Sequence, residues 1–342
     1  MKRNVLSCLL IVLLILPGCK AGQNGSASTN RYKASFLTLF DTVTTIIGYA
    51  ETEEQFQEQC QKLQDELRSY HELFDIYHDY PGVNNVKTIN DNAGIAPVQV
   101  DQALIDLLVF SHEIYDQSDG RVNVAMGSVL KLWHESRTAG VDDPEAAALP
   151  DEAALREAAK HISFDAVVID TEQRTVYLSD PLLRLDVGAV AKGYAAERVR
   201  QNAPPGFLLS VGGNVCATGP RPDGSAWVVG LENPAGGDYR HTLNVSSECV
   251  VTSGDYQRYY TVNGQRYHHI IDPQTCMPAN YWHSVTILCE DSGLADALST
   301  ALFLMPQAEG QRLLDNYHAE AMWVDLDGND FFSPGFSEFI RT

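Results

Sequence analysis

The residues of this chain that could do chemistry lie in four segments of its second half, and the first segment is suited to holding an anion. In residues 186–195 (DVGAVAKGYA), Asp186 ends a predicted strand and Lys192 lies in the first turn of the helix that follows. A strand–turn–helix of this kind presents free backbone N–H groups and the positive end of the helix dipole to a negatively charged ligand. The segment is not a P-loop, because the order of glycine and lysine is reversed and the spacing differs. An ordinary tight turn is the other reading of the segment.

The second and third segments carry glycines and histidines. Paired glycines precede Asn214 at the end of a predicted strand, where they permit positive φ and let a ligand approach the backbone. Residues 267–275 (YHHIIDPQT) contain two adjacent histidines, and adjacent residues of a strand point to opposite faces. At most one of His268 and His269 can therefore serve a given site, which argues against a zinc ion held by both. A surface histidine without a chemical role is the alternative.

The fourth segment carries oxygen ligands on a predicted helix. Asp296 and Thr300 are four residues apart, so their side chains lie on the same face of the helix. A carboxylate above a hydroxyl supplies the hard oxygen ligands that suit Mg²⁺ and do not suit soft metals. The same spacing also arises by chance in many helices.

The elements that must position these residues are interleaved helices and strands. Residues 52–74 have the apolar spacing of a long amphipathic helix, and Asp101 and Asp151 are suited to cap two more helices. A hairpin is predicted at 166–170 and 175–178, with further strands at 183–187, 207–211, 226–231, 242–246, 249–253, 258–262, 283–289 and 320–325, and helices at 189–202, 293–304 and 307–317. Consecutive strands without intervening helices favour antiparallel or mixed sheets. We expect an α+β fold, a single compact unit of such sheets with flanking helices.

Composition limits the classes of function that remain. The chain has 342 residues, 45 of them acidic and 24 basic, with a formal net charge of −21 and 44% hydrophobic residues, so it can bury a core. The acidic balance, without a stripe of Lys or Arg, predicts no binding of nucleic acid. A substrate that carries phosphates would need a local cation to offset the field of the protein.

The amino terminus predicts export and lipid attachment. A basic start is followed by an apolar run too short to span a bilayer comfortably, and the run ends in Leu-Pro-Gly-Cys at 16–19. This sequence resembles the lipobox of bacterial lipoproteins, which implies a signal peptide at 1–18, a lipid on Cys19 and a flexible tether at 19–34 before the domain at 35–342. The chain is then expected on the extracytoplasmic side of the cell membrane, held by its lipid. An ordinary secretory signal is the alternative.

The remaining cysteines do not form a recognisable framework. Once Cys8 has left with the signal and Cys19 carries a lipid, an odd number remains without CxxC spacing: Cys60, Cys216, Cys249, Cys276 and Cys289. A zinc cage or a dense set of disulfides is therefore disfavoured. One bridge remains open, between partners that the sequence does not specify.

Taken together, the four segments resemble in order and spacing the FAD:protein FMN transferases of the ApbE family. The resemblance extends over roughly residues 35–340, nearly the whole mature chain, and includes residues 118–123 (SDGRVN) and 252–259 (TSGDYQRY). It implies an ApbE-type α+β fold, FAD as substrate and Mg²⁺ as cofactor. It also implies transfer of the FMN half of FAD onto a threonine hydroxyl of a target protein, with release of AMP.

The resemblance also implies roles for individual residues and partners. His269 would be catalytic, the FAD contacts would be Tyr77, Arg121, Val122, Asn123, Asp186, Lys192 and Ile270, and the metal ligands would be the Ala189 carbonyl, Asp296 and Thr300. The implied acceptors are membrane redox subunits of the Rnf and Nqr type. An FAD pyrophosphatase that forms FMN and AMP, and a lipid-anchored flavin- or solute-binding protein, are the alternative functions.

Two departures from the family pattern carry expectations of their own. Phe40-Asp41-Thr42 stands where the family commonly has Met-Gly-Thr, which puts the usual methionine contact in question. Cys276 follows Thr275 where the family commonly has glycine. Because a Cβ disfavours positive φ, we expect the turn at Cys276 to differ from that of the family.

Overall fold

The computed structural model describes residues 29–342, which form seventeen strands and eight α-helices. The strands are Asn30–Leu39 (β1), Thr42–Ala50 (β2), Val98–Gln99 (β3), Val167–Asp170 (β4), Thr175–Leu178 (β5), Leu208–Val211 (β6), Asn214–Ala217 (β7), Trp227–Leu231 (β8), His241–Val245 (β9), Cys249–Gly254 (β10), Tyr259–Val262 (β11), Gln265–His268 (β12), Ile271–Asp272 (β13), Met277–Pro278 (β14), Trp282–Cys289 (β15), Ala319–Asp325 (β16) and Asp330–Phe332 (β17). The helices are Glu53–Phe74 (α1), Val86–Asp91 (α2), Gln102–Gln117 (α3), Gly127–Asp142 (α4), Glu152–Ala158 (α5), Ala191–Asn202 (α6), Ser292–Phe303 (α7) and Gln307–Leu314 (α8).

One large sheet forms the centre of the fold. Its eight strands lie in the order β1-β2-β6-β7-β10-β15-β16-β17, and every neighbouring pair is antiparallel. Smaller sheets are formed by β3-β5-β4, β8-β9, β11-β12 and β13-β14. The expected α+β class is confirmed, and within the described residues all the strand ladders are antiparallel rather than mixed.

Both faces of the large sheet are covered. On one face, side chains such as Leu209, Val251 and Ile287 belong to a core that also contains the buried faces of α1, α6 and α7. On the other face, Val250 and Leu288 pack with the β8–β9 hairpin. Because successive residues of β10 and β15 face opposite layers, both strands are buried along most of their length.

Helix starts follow the local signals in the sequence. Asp101 accepts a hydrogen bond from the Ala103 amide, and Asp151 accepts one from the Ala154 amide, as expected for helix caps.

Two predicted helices have different bounds in the structure. The first residues of the predicted helix at 189–202 form a turn, in which the Ala191 amide donates to the Val187 carbonyl, so α6 begins at Ala191. The helix predicted at 307–317 ends at Leu314.

The segment 183–187 is not a strand, contrary to the prediction. Its main-chain groups bond to irregular partners: the Asn90 side chain bonds to both the amide and the carbonyl of Leu185, and the Asp186 amide donates to the Val124 carbonyl. Within the described part of the chain, only the single bridge between Arg184 and Met126 resembles strand pairing. The apolar alternation of the segment therefore reflects burial against α2 and α4 rather than a ladder.

The predicted tether ends earlier than expected. Residues 30–34, assigned to it from the sequence, form the first half of β1, which pairs with β2 from Asn30 opposite Ala50. Tyr32 of this strand stacks on Phe56 of α1 with ring centroids 5.5 Å apart. Cys19 and the rest of residues 1–28, including the predicted signal peptide, lie outside the described residues. Across 29–342, no helix combines the length and the apolar character needed to cross a membrane.

Helices α6 and α7 approach each other closely at Gly193. A Cβ built on Gly193 would lie 2.5 Å from the Ser292 carbonyl oxygen and closer still to the Asp296 Cβ, so only glycine fits. The Gly193 amide donates to the Asp296 carboxylate at 2.8 Å. This contact fixes the position of α7 against the first turn of α6.

Replacing Gly193 by alanine is expected to lower the free energy of unfolding by about 1–3 kcal/mol, because the added methyl group has no room between the two helices. Urea unfolding followed by circular dichroism measures the change. Gly310→Ala in α8 is the matched control, since its new Cβ would lie 3.2 Å from Leu302 Cγ, which a shift of a few tenths of an ångström relieves, and the change gains helix propensity. Unchanged stability of Gly193→Ala would contradict the close approach.

Candidate active site

The turn that precedes α6 is held by Asp186. The Asp186 carboxylate accepts a hydrogen bond from the Gly188 amide at 2.9 Å, and the Asp186 amide donates to the Val124 carbonyl at 2.8 Å. Its side chain is buried. The predicted anion-binding segment is therefore a tight turn that starts at a buried acid and leads directly into the first turn of α6.

Lys192 and Asp296 meet where α6 packs on α7. The Lys192 ammonium lies 3.4 Å from the Asp296 carboxylate and donates to the Asn214 side-chain oxygen at 2.8 Å. The amide nitrogen of Asn214 and the hydroxyl of Thr44, both buried, have no hydrogen-bond partner among the described residues. The structure thus brings the first, second and fourth sequence segments together at the Lys192 ammonium.

The three groups predicted to hold Mg²⁺ are of the oxygen types that this ion prefers. In a regular helix the Gly193 amide would bond to the carbonyl of Ala189, but here it donates to Asp296. No donor among the described residues bonds to the Ala189 carbonyl, which keeps its lone pairs free. Asp296 and the half-buried Thr300 lie one turn apart on α7. Carbonyl, carboxylate and hydroxyl oxygens are hard ligands, and Mg²⁺ commonly uses few protein oxygens together with water and substrate phosphates.

A denser metal centre is absent from residues 29–342. Within that range no three or more His, Cys, Asp or Glu side chains are grouped so that they could hold a metal ion. The oxygen set above contains a single carboxylate. It therefore matches an ion that is completed by substrate oxygens rather than a cage of protein ligands.

Tyr77 is positioned by a turn after α1. The buried Asp75 carboxylate accepts hydrogen bonds from the Tyr77 amide at 2.6 Å and from the Tyr80 hydroxyl at 2.8 Å. These hydrogen bonds hold the pKa of Asp75 below its usual value, although burial opposes them. The Tyr77 ring is 56% exposed, and its hydroxyl lies 2.9 Å from Nδ1 of His134. A surface tyrosine fixed at its backbone is available to contact a ligand.

His134 and Arg137 of α4 are functional candidates that the sequence did not reveal. They are three residues apart and share a face of the helix. Burial lowers the pKa of His134. The negative charge of Asp186 opposes this shift, and the positive charges of Arg137 and Arg258 add to it. Burial and the like charge of Arg258 also lower the pKa of Arg137. A His and an Arg at this helical spacing were the only signal in the sequence, and such a pair is common on solvated helix faces.

The adjacent histidines have different surroundings, and only His268 lies in a strand, because β12 ends at that residue. His268 is buried, donates from Nε2 to the Ala279 carbonyl at 2.7 Å and accepts the Ile270 amide at Nδ1. His269 is half-buried, and its Nδ1 lies 3.2 Å from the Arg258 carbonyl. A carbonyl oxygen can only accept a hydrogen bond, so Nδ1 of neutral His269 carries the ring proton and donates it. Nε2 of His269 therefore keeps its lone pair.

Four basic side chains act on one another electrostatically, and we call them the basic cluster: His134, Arg137, Arg258 and His269. Loss of hydration lowers the pKa of His269 to about 3, and the charges of Arg258, His268 and Arg137 act in the same direction. Neither Arg137 nor Arg258 forms an ion pair within residues 29–342. The arginines that do so there are Arg121, Arg156, Arg200 and Arg240. The basic cluster therefore holds two guanidinium groups without a carboxylate partner next to a neutral imidazole.

Residues 121–123 and Ile270 have structural contacts of their own. The Arg121 guanidinium donates to the Leu304 carbonyl at 2.9 Å and lies 3.7 Å from the Asp272 carboxylate. The Asn123 side chain bonds to the Ile162 carbonyl and the Ala125 amide. Val122 and Ile270 are buried in the apolar core, so these side chains hold the segments that flank the basic cluster.

The two departures from the family pattern have different outcomes. Phe40 and Asp41 both adopt positive φ, at 54° and 51°, in the turn between β1 and β2. Cys276 itself adopts a φ of 56°, so the expected change of turn is wrong. The cysteine keeps the left-handed conformation because its amide bonds to the Asp272 carbonyl at 2.7 Å and its carbonyl accepts the Trp133 indole N–H at 2.9 Å.

Known proteins resemble this chain in sequence and in fold. The chain matches the model of the ApbE family over residues 40–323. It is 35% identical over 274 residues to an FAD:protein FMN transferase of Treponema pallidum, with 74% of each chain covered. It is 32% identical over 243 residues to one of Klebsiella pneumoniae, covering 68% of this chain and 73% of that protein.

Solved structures share the architecture. The ApbE protein of Thermotoga maritima superposes with a TM-score of 0.80 at 30% identity, over 92% of this chain and 100% of that one. The flavin transferase ApbE of Vibrio cholerae superposes with a TM-score of 0.75, over 91% and 100% of the two chains. At 20% identity, the second likeness concerns the fold alone.

The lowered pKa of His269 predicts how stability depends on pH. The unfolded chain, with a histidine pKa of about 6.5, takes up this proton before the folded chain does. The stability that His269 contributes is therefore complete above about pH 6.5 and is lost as the pH falls toward 3. In His269→Gln, the free energy of unfolding should fall less between neutral pH and about pH 4 than in the parent chain, as measured by urea unfolding at each pH. His318→Gln, at an exposed position, is the control, and an equal change in both variants would contradict the prediction.

Proposed function

The chain belongs to the ApbE family, and from that premise we propose that it is an FAD:protein FMN transferase. The proposed reaction moves the FMN half of FAD onto a threonine hydroxyl of an acceptor protein. A new bond forms between the threonine oxygen and the FMN phosphorus. The bond from that phosphorus to the bridging oxygen breaks, and AMP leaves.

The basic cluster is the observation that carries the proposal. The chain has a net charge of −21, yet Arg137 and Arg258 lie close enough to act on each other's charge without a carboxylate partner in the described residues. Two unneutralised guanidinium groups favour an anionic ligand, and guanidinium pairs well with phosphate oxygens. We infer that they contact the pyrophosphate of FAD.

Mg²⁺ would be held by Ala189, Asp296 and Thr300 in this proposal. When bound, the ion would neutralise negative charge on the phosphate oxygens. Lys192 remains linked to Asn214 by a hydrogen bond of 2.8 Å and adds a second positive charge on the same side. Asp186 connects the two regions, because its charge acts on Tyr77, His134 and Arg137 while its backbone leads into the turn at Ala189.

His269 is proposed as the base for the acceptor hydroxyl. The hydrogen bond from Nδ1 to the Arg258 carbonyl orients the ring and leaves Nε2 free to take the proton from the threonine oxygen as it attacks phosphorus. A pKa near 3 keeps the ring neutral before FAD binds. The negative charge of FAD beside the basic cluster would raise that pKa toward the range in which the imidazole is an effective base.

The partners and location follow from the resemblance and the amino terminus. We propose acceptors among membrane redox subunits of the Rnf and Nqr type. We also propose that cleavage after residue 18 and a lipid on Cys19 hold the enzyme on the extracytoplasmic face of the cell membrane. The lipobox resemblance at residues 16–19 supports the anchor.

Mass spectrometry of the products tests the proposed reaction. The protein is incubated with FAD, Mg²⁺ and a flavin-acceptor domain of an Rnf- or Nqr-type subunit. The expected result is an acceptor that gains the mass of one FMN residue, together with AMP and no reaction after chelation of Mg²⁺. Free FMN and AMP with unmodified acceptor would indicate the pyrophosphatase, and bound but unchanged FAD would indicate a binding protein.

Arg258→Gln in the same assay should raise the FAD concentration for half-maximal rate about ten- to a hundredfold, since one charge-assisted contact to phosphate is lost. Arg156→Gln is the matched control, because Arg156 lies on α5 and pairs with Glu152 at the surface.

His269→Gln should lower the single-turnover rate of transfer at saturating FAD and acceptor by about 10²–10⁴-fold, because the acceptor hydroxyl loses its base. FAD binding should change little, since the proposed phosphate contacts remain. His268→Gln is the control at the neighbouring position, where the glutamine amide can still donate to the Ala279 carbonyl. A near-parental rate for His269→Gln, normalised to folded protein, would remove His269 from the mechanism.

A further inference from the structure

Three buried cysteines form one row across the large sheet. Cys216 of β7 is directly opposite Cys249 of β10, and Cys249 is directly opposite Cys289 of β15. All three side chains are buried in the core on the helix-covered face, and all three are free thiols. The sequence left open which cysteines could form a disulfide. Strand register restricts the choice within this row to two neighbouring pairs, Cys216 with Cys249 and Cys249 with Cys289.

The row does not suit a metal ion. Neighbouring strands lie about 4.8 Å apart, so the outer cysteines, Cys216 and Cys289, are separated by about 10 Å of backbone with Cys249 between them. A thiolate site for zinc needs each sulfur about 2.3 Å from one ion, which a straight row of three does not allow. Consistent with this, residues 29–342 contain no suitable group of three metal-binding side chains.

The ladder geometry favours one pair of cysteines over the other. The Ala217 amide donates to the Glu248 carbonyl at 3.1 Å, so the next pair, Cys216 and Cys249, is a non-hydrogen-bonded pair. In such pairs the Cα atoms are about 4.5 Å apart and the side chains are closest, which lies within the range of disulfides. The N–H and C=O groups of one strand residue point toward the same neighbouring strand. Those of Cys249 point away from Cys216 and toward Cys289, so Cys249 and Cys289 form a hydrogen-bonded pair with a wider Cα separation.

The third thiol has a partner of its own. Cys289 Sγ lies 3.0 Å from the Asp291 carbonyl oxygen. Burial raises the pKa of Cys289 to about 12, so its thiol stays protonated and a poor nucleophile. Cys249 Sγ lies 3.6 Å from the Glu290 carbonyl oxygen, so its hydrogen bond in the reduced protein is to the backbone, and its pairing with Cys216 follows from the strand register.

We propose that Cys216 and Cys249 are joined by a cross-strand disulfide when the chain folds outside the reducing cytoplasm, and that Cys289 remains a thiol. The step requires a disulfide oxidant such as oxidised glutathione. Both S–H bonds break, the Sγ–Sγ bond forms, and two protons and two electrons convert the oxidant to two thiols. Because both cysteines are fully buried, oxidation precedes the docking of the helices on this face of the sheet.

The disulfide would act directly beneath the candidate active site. Cys216 is two residues beyond Asn214 on the same face of β7, and Asn214 accepts the Lys192 ammonium. Glu197 of α6 accepts hydrogen bonds from Arg200 and from the Ser292 amide at the start of α7. The link therefore ties together two central strands under the α6–α7 contact. It does not depend on the proposed transfer reaction.

A peptide map tests the pairing. The full chain is unfolded in denaturant, refolded in a buffer of reduced and oxidised glutathione, alkylated in denaturant and digested without reduction. The expected product is a linked peptide of Cys216 and Cys249, two hydrogen masses below the sum of its reduced parts, with Cys289 alkylated. Alkylation of both Cys216 and Cys249, or a link between Cys249 and Cys289, would overturn the proposal.

Stability provides the second measurement. The urea midpoint of the parent chain should be higher after oxidation than in the presence of a reductant, because the cross-link restricts the unfolded chain. Cys216→Ala should lose this difference, whereas Cys289→Ala, from the same row, should keep it. The comparison is made between redox states of each variant, so a general loss of stability in Cys216→Ala does not affect it. No redox difference in the parent chain would contradict the disulfide.

Discussion

The approach of α6 to α7 at Gly193 is the contact on which the rest of the site depends. Without a side chain at this position, Asp296 can accept both the Gly193 amide and the Lys192 ammonium. The same bond diverts the Gly193 amide from the Ala189 carbonyl and leaves that oxygen free. Glu197 strengthens the contact, because its buried carboxylate accepts the Ser292 amide at the start of α7. One steric condition thus brings a carboxylate to an ammonium and removes the helical hydrogen-bond partner of a carbonyl.

The molecule is acidic overall but contains one small basic region, the basic cluster. The net charge of −21 repels a phosphate-bearing substrate at long range, so attraction has to be local. Arg137 and Arg258 supply this local attraction without a carboxylate partner in the described chain. The pKa of Arg137 is lowered because burial and the like charge of Arg258 both disfavour its charged form. Such groups are typical of functional sites, where a ligand provides the missing charge. His269 remains neutral in the same surroundings, so one cluster combines anion binding with a free imidazole lone pair.

Local rules predicted much of the fold. The caps at Asp101 and Asp151 and the hairpin of β4 and β5 depend on residues close together in the chain. The errors occurred where distant groups replaced local partners. Leu185 bonds to the Asn90 side chain instead of a strand, and residues 30–34 join β1 because β2 and α1 cover one side of them.

By itself the sequence determined the α+β class, the helical spacing of Asp296 and Thr300 and the resemblance to the ApbE family. These features follow from backbone periodicity within a few residues or from motifs in chain order. Only the tertiary structure decided that His134 and Arg137 of α4 meet Arg258 and His269, and that three of five free cysteines share one row. The physical reason is that packing and strand register set these distances, and both depend on contacts between segments far apart in the chain.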